Sequence, residues 1–184
     1  SGAALVIVLA IVLPRLLTGN KHQAGTDGFS VGDPAAPVSV VEFSNYGCSH
    51  CRTFSEQMED PFFAEYVETG DVYFTYVNLA GNSESSIAAA EASYCAAAQN
   101  RFYDYKDYLF TAASIQNGYT TDKLISYASS AGLDRDQFEA CLASDQYADA
   151  YVQDTEYAQS VGLTGTPSFL INGSKIVYSS DLIP

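Results

Sequence analysis

A single α/β domain is the fold class the sequence predicts, and three observations carry it. Two apolar, β-branched runs at residues 38–43 and 72–77 flank a helical stretch. Residues 83 to about 144 repeat their apolar positions at helical spacing. The chain then returns to strands around Asn172-Gly173. A chain of 184 residues with 47% hydrophobic side chains is long and apolar enough for one core plus some extra length. Its 22 acidic and 8 basic side chains give a net charge of -14. No basic stripe is left to neutralise phosphates, so nucleic acid is excluded as a partner.

Residues 2–13 are an unbroken apolar run. At 1.5 Å per residue the run reaches about 18 Å, short of the roughly 30 Å of a bilayer core. Because the chain begins at Ser1 rather than Met, the run is expected to be the tail of a longer segment. Residues 1–17 are therefore read as a truncated transmembrane or signal-anchor segment, with a cleaved signal-peptide core and a buried helix as the other readings. Residues 18–36 are polar, rich in Gly, Asp and Pro, and aperiodic. They read as a linker with a short edge strand at Phe29-Ser30-Val31, and the domain is assigned to 37–184.

Within the domain, residues 38–43 form a strand that turns through Ser44-Asn45-Tyr46-Gly47 into a helix carrying Cys51, Phe54 and Met58 on one face. Asp60-Pro61 reads as a cap followed by proline at the first helical position, with Gly70 as the stop. The aromatic and β-branched run at 72–77 makes a buried strand and completes a βαβ unit. The helical block follows, with Thr121-Asp122 and Asp134 as caps and Gly118 and Gly132 as stops. A further amphipathic stretch runs from Gln146 to Gly162. The strands at 168–171 and 175–178 then flank Asn172-Gly173, a hairpin signal. The chain closes at Pro184 without a further helix, so a continuation is expected beyond it as well.

Chemistry concentrates at Cys48-Ser49-His50-Cys51. The spacing places Cys48 at the exposed tip of a helix and turns Cys51 inward. Unpaired N–H groups and partial positive charge at a helix start favour thiolate, drawing a cysteine pKa from about 8.5 into the range ~3.5–7.5. Two intervening residues let the pair close into a disulfide, so it can take and return two electrons. Cys95 and Cys141 complete an even set of four and suggest one structural bridge; two buried free thiols and a shuttle between the pairs are the alternatives.

The run Val40-Val41-Glu42-Phe43-Ser44-Asn45-Tyr46-Gly47-Cys48-Ser49-His50-Cys51, the helical block after the second main strand, and Gly162-Leu163-Thr164-Gly165-Thr166-Pro167-Ser168-Phe169 together resemble the DsbA-like branch of the thioredoxin-fold thiol:disulfide oxidoreductases. The resemblance implies a thioredoxin fold with an α-helical insertion at about 83–144, and a redox-active disulfide with no further cofactor. Cys48 takes the place of the attacking cysteine and Cys51 of the resolving one. Thr166 and Pro167 take the place of the cis-proline pair, which offers backbone to an extended substrate. His50 matches a residue that stabilises the thiolate and makes the disulfide more oxidising. Ser49 departs from the proline of the best-known oxidants and leaves the strength of oxidation open. Glu42 occupies the place of an acidic group beneath the resolving cysteine. There it is expected to exchange a proton with Cys51 through water, unless its register turns it to solvent. In an oxidising compartment Cys95 and Cys141 are expected to be bonded.

The resemblance further implies oxidation of unfolded or reduced exported proteins outside the cytoplasm, in the periplasm or on the outer face of the membrane. Reoxidation would come from a quinone-linked membrane oxidase of the DsbB or vitamin-K-epoxide-reductase-like type, which could be fused upstream. A reductase or isomerase of the same fold is the nearest alternative. A thiolate metal-binding module is a distant one, because His22 and His50 are the only histidines.

Overall fold

The computed structural model describes residues 27–81 and 83–178. The expected membrane or signal segment at 1–17, residues 18–26 of the linker, and the last six residues lie outside the described residues. Among the described residues five strands and seven α-helices follow in the order β1 (Ser30–Val31), β2 (Val38–Ser44), α1 (Ser49–Gln57), α2 (Glu59–Phe62), β3 (Val72–Asn78), α3 (Glu84–Ala97), α4 (Phe102–Ala112), α5 (Thr121–Ser130), α6 (Arg135–Ala143), α7 (Ala150–Ser160), β4 (Ser168–Ile171) and β5 (Lys175–Tyr178). The strands form one sheet in the order β1-β3-β2-β4-β5. β2 runs parallel to β3 and antiparallel to β4, and both outer pairs are antiparallel.

β2 is central, and its alternation divides the molecule. Phe43 and Val41 point to a smaller core with Val77, Leu170 and Ala158 of α7. Val40 points to a larger core in which α1 and the helical block cover the other face of the sheet. That core is aromatic: Phe54 packs on Phe169 at 4.7 Å between ring centroids, Phe63 on Phe74 at 4.9 Å, and Tyr76 on Phe102 at 4.8 Å. By the same alternation Glu42 shares the Val40 face. Its neighbours in register are Tyr76 on β3 and Phe169 on β4, both in the larger core.

The long helix α3 reaches the centre of the block because its buried positions are mostly alanine: Ala89, Ala90, Ala92, Ala96 and Ala97 let neighbouring helices approach closely. Cys95 of α3 is bonded to Cys141 of α6, with Cα atoms 5.8 Å apart. The hairpin loop carries Asn172 and Gly173 at φ 48° and 67°, the left-handed region that these two residues tolerate at such turns.

Three local expectations are corrected. Asp60-Pro61 does not open a helix: α2 starts at Glu59, with Met58 closing α1 and opening α2. Pro61 has no N–H to give the Gln57 carbonyl four residues back, so α1 ends at Gln57, and the chain continues through a π-helical turn over Phe63–Val67. Helix α5 is capped by Thr120 rather than by Thr121-Asp122, which lie inside its first turn. Gly118 does not stop α4, which ends at Ala112.

Candidate active site

The strand-to-helix turn after β2 is held by Asn45. Its side chain donates to the Leu79 carbonyl and accepts from the Gly47 N–H at 2.7 Å, while its carbonyl accepts from the Cys48 N–H at 3.0 Å. This Asx turn delivers Cys48 to the N-cap of α1. There the Cys48 Sγ accepts from the Cys51 N–H at 3.5 Å and lies 3.4 Å from the Thr166 carbonyl, to which its thiol can donate. Thr166 precedes Pro167 through a cis peptide bond at the entry to β4. Cys48, Cys51, Thr166 and Pro167, separated by 118 positions between Cys48 and Thr166, are thus brought to one place. Beside them a cleft of about 200 Å³ opens between Cys48, Ser49 and Arg52 on one side and Ala113 and Ser114 beyond α4 on the other.

The two sulfurs stand in opposite environments. Burial works to raise the Cys48 pKa, but hydrogen bonds from the Thr166 side chain and from the backbone N–H groups of Cys51 and His50 outweigh it and hold the thiol below its ordinary value. Cys51 is fully buried, and burial pushes its thiol up to about 12. A proton is therefore easily lost from Cys48 and tightly held by Cys51. The His50 and Ser49 side chains are both exposed, and what His50 gives the Cys48 sulfur is its backbone N–H.

Glu42 is 1% exposed. Burial pushes its carboxyl up to about 8; the neighbouring Glu59 charge acts in the same direction, and Lys106 against it. Ser44, two residues on along the same face of β2, lies beside both Glu42 and Cys51 and carries its hydroxyl into the space between them. The Ser44 and Tyr76 hydroxyls are buried without a protein hydrogen-bond partner among the described residues, forming a polar seam under Cys51. The arrangement can hold a proton next to a sulfur that must gain or lose one.

Sequence reasoning passed over Glu59 and Lys106, which form a buried ion pair behind this seam. A signal was present. Lys106 lies four residues from both Phe102 and Phe110 on the apolar face of its helix, and Glu59 continues the Cys51–Ser55 stripe by one turn. Cys95 and Cys141, closed on one another, are unavailable to a metal. Among the described residues no group of His, Cys, Asp and Glu is arranged to hold one, and no helix is long and apolar enough to cross a membrane.

A family model described as Thioredoxin matches residues 24–182. The chain is 27% identical over 175 residues to a probable disulfide bond formation protein D of Bacillus anthracis, covering 91% of this chain and 80% of that protein. The crystal structure of oxidised BdbD from Bacillus subtilis superposes with a TM-score of 0.73 at 26% identity, covering 85% of this chain and 87% of that one. A Na(+)/H(+) antiporter, NhaA 3 of Salinispora tropica, is 29% identical over 144 residues, which are 78% of this chain and 21% of the antiporter.

Proposed function

The chain belongs to the thioredoxin family, and from that premise we propose how it works: as a thiol:disulfide oxidoreductase that oxidises the thiols of exported proteins through the Cys48–Cys51 pair. The observation that carries the reading is the juxtaposition of Cys48, at a helix tip and biased toward thiolate, with the Thr166 carbonyl and a deeply buried Cys51. In the oxidised enzyme a substrate thiolate attacks the Cys48 sulfur. The Cys48–Cys51 bond breaks, the electron pair leaves on Cys51, and a substrate–Cys48 disulfide forms. The substrate's second thiolate then attacks its own sulfur in that bond and releases Cys48 as a thiolate. Two electrons have passed from substrate to enzyme. Cys48 is a good leaving group because its thiolate is stabilised. Cys51 is a poor one, and Glu42, which holds a proton at neutral pH, supplies that proton to the leaving sulfur.

The backbone beside Pro167 and the cleft toward Ser114 receive an extended substrate segment as an added strand. Electrons leave the reduced pair to a membrane oxidase of the quinone-linked type, and the domain works outside the cytoplasm. Its tether is the unbroken apolar segment within residues 1–17. The Cys95–Cys141 bridge is structural, stapling α3 to α6.

The test is turnover of a reduced, unfolded substrate together with the reduction potential of the pair against glutathione. A potential near about -120 mV fits a dithiol oxidant, whereas one near about -270 mV would make the protein a reductant and overturn the direction of the reaction.

A further inference from the structure

We propose that Lys106, supplied by the inserted helical block, is a positioning residue for the redox reaction: its ammonium, held between α1 and α2, fixes how many protons the buried pair Glu42 and Glu59 carries beneath Cys51. The inference rests on the reading of Glu42 as the proton partner of Cys51 and extends it to residues outside the cysteine motif.

The geometry is that of a built charge site. The Lys106 and Glu59 side chains are each 3% exposed and form an ion pair. The Lys106 Nζ also donates to the Ser55 Oγ at 2.8 Å and to Asp107 at 3.1 Å, and lies 5.8 Å from the Tyr103 ring centroid. Ser55 and Glu59 stand one and two turns below Cys51 on the same stripe. Lys106 is therefore anchored to the helix that carries the resolving sulfur, although it comes from α4, 47 positions after Glu59. The second Glu59 oxygen, Oε1, is buried with no hydrogen-bond donor among the described residues.

Counting charges gives the consequence. Two buried carboxylates face one buried ammonium, with Asp107 at the solvent edge. Fully ionised, Glu42 and Glu59 would leave one uncompensated negative charge inside the protein, which is costly. One proton is kept, and because Lys106 binds Glu59 directly, that proton belongs to Glu42. The titratable groups that face Glu42 are Tyr46 beyond the end of β2, Tyr76 from β3, Glu59 from α2, and Lys106 and Tyr103 from α4, with Cys51 from α1 beyond the Ser44 hydroxyl. Burial raises the Glu59 carboxyl as well, and the direct ion pair with Lys106 opposes that shift, so Glu59 and Lys106 are the charged pair of the group. When Cys51 leaves as a thiolate, the Glu42 O–H bond breaks and the Cys51 S–H bond forms; in the reverse direction the same proton returns.

The test compares Glu59→Gln with the double variant Glu59→Gln/Lys106→Met in the full chain. The two differ only at Lys106, and the double variant leaves neither charge of that pair unmatched. The readout is the titration midpoint of the Glu42 carboxyl by carbon NMR, followed by the pH dependence of substrate oxidation. Glu59→Gln is expected to lower the Glu42 midpoint relative to wild type, and adding Lys106→Met to raise it again by about one pH unit, with the rate profile moving in step. A role confined to packing would not move a carboxyl midpoint down and then up. Equal midpoints in the two variants would overturn the assignment of Lys106. If Glu59→Gln does not fold, the comparison is made with Lys106→Arg in the wild-type background, and a Glu42 midpoint unmoved by relocating the cation would overturn it as well. Midpoints that shift while the rate profile stays fixed would instead remove Glu42 from the reaction and leave the electrostatic assignment standing.

Discussion

Replacing Glu42 by glutamine should make the protein more stable and slower, and the gain should depend on pH. In the unfolded chain the carboxyl titrates at its ordinary 4.5; in the folded protein, burial pushes it up to about 8. Below pH 4.5 both states hold the proton and Glu42 costs no more than a buried neutral acid. Between those values the folded state keeps a proton that the unfolded state sheds, so stability falls as pH rises, and above about 8 the full cost of an ionised buried carboxylate is present. The separation between 4.5 and about 8, at about 1.36 kcal/mol per pH unit, sets an upper limit of about 5 kcal/mol. Glutamine keeps the shape without the titration. Urea denaturation of wild type and Glu42→Gln should show near-equal stabilities at about pH 4 and a variant more stable by about 2–5 kcal/mol at about pH 9. The same variant should oxidise substrate more slowly at neutral pH, because the Cys51 thiolate loses its proton donor. A stability gap that does not change with pH, or a wild type that gains stability as pH rises, would refute the burial of a titrating acid at this position.

Other outcomes follow from the same geometry. Cys51→Ser should accumulate a mixed disulfide through Cys48 that intact-mass measurement detects, and Cys48→Ser should accumulate none; trapping by the second variant would reverse the roles of the two sulfurs. Thr166→Val removes the side-chain hydrogen bond that holds the Cys48 thiol down and leaves the backbone carbonyl in place, so the Cys48 midpoint, read by thiolate ultraviolet absorbance, should rise. Cys95→Ser/Cys141→Ser opens a loop closed across a separation of 46 residues. In the chain-entropy relation this costs about 4 kcal/mol, which for a domain of this size lowers the Tm by about 8–16 °C; an unchanged Tm would show that the bridge adds nothing to stability.

How much of this was legible in the sequence depends on how local its cause is. The strands at 72–77 and 168–171 and the hairpin at Asn172-Gly173 are written in neighbouring residues, through alternation and through turn residues that accept positive φ, and they stand within a residue of their expected places. The break between α1 and α2 was misplaced because Pro61 acts on a carbonyl four residues back, in a segment whose own pattern favours helix. Whether Cys95 meets Cys141 is decided by how α3 docks on α6, which no spacing within either helix contains. The environment of Cys48 was legible in part: its place at the helix tip follows from the motif, but the Thr166 carbonyl reaches it only through the register of β4 against β2.

Glu42, Glu59 and Lys106 share a property written in the sequence: each is a charged residue standing where the surrounding periodicity calls for an apolar one. A single such violation is ambiguous, since a strand edge or a helix flank can turn it to solvent. Three of them carry more information, because buried charges must answer one another. Two negative and one positive charge cannot cancel, and the remainder is made good by a proton. A core built only for stability would have removed the remainder by exchanging Glu42 for an apolar residue, as the neighbours Val40 and Phe43 show the strand can accept. Its retention beside Ser44, which also lies beside Cys51, is what would tie the helical block, through Lys106, to the proposed chemistry of the cysteine pair.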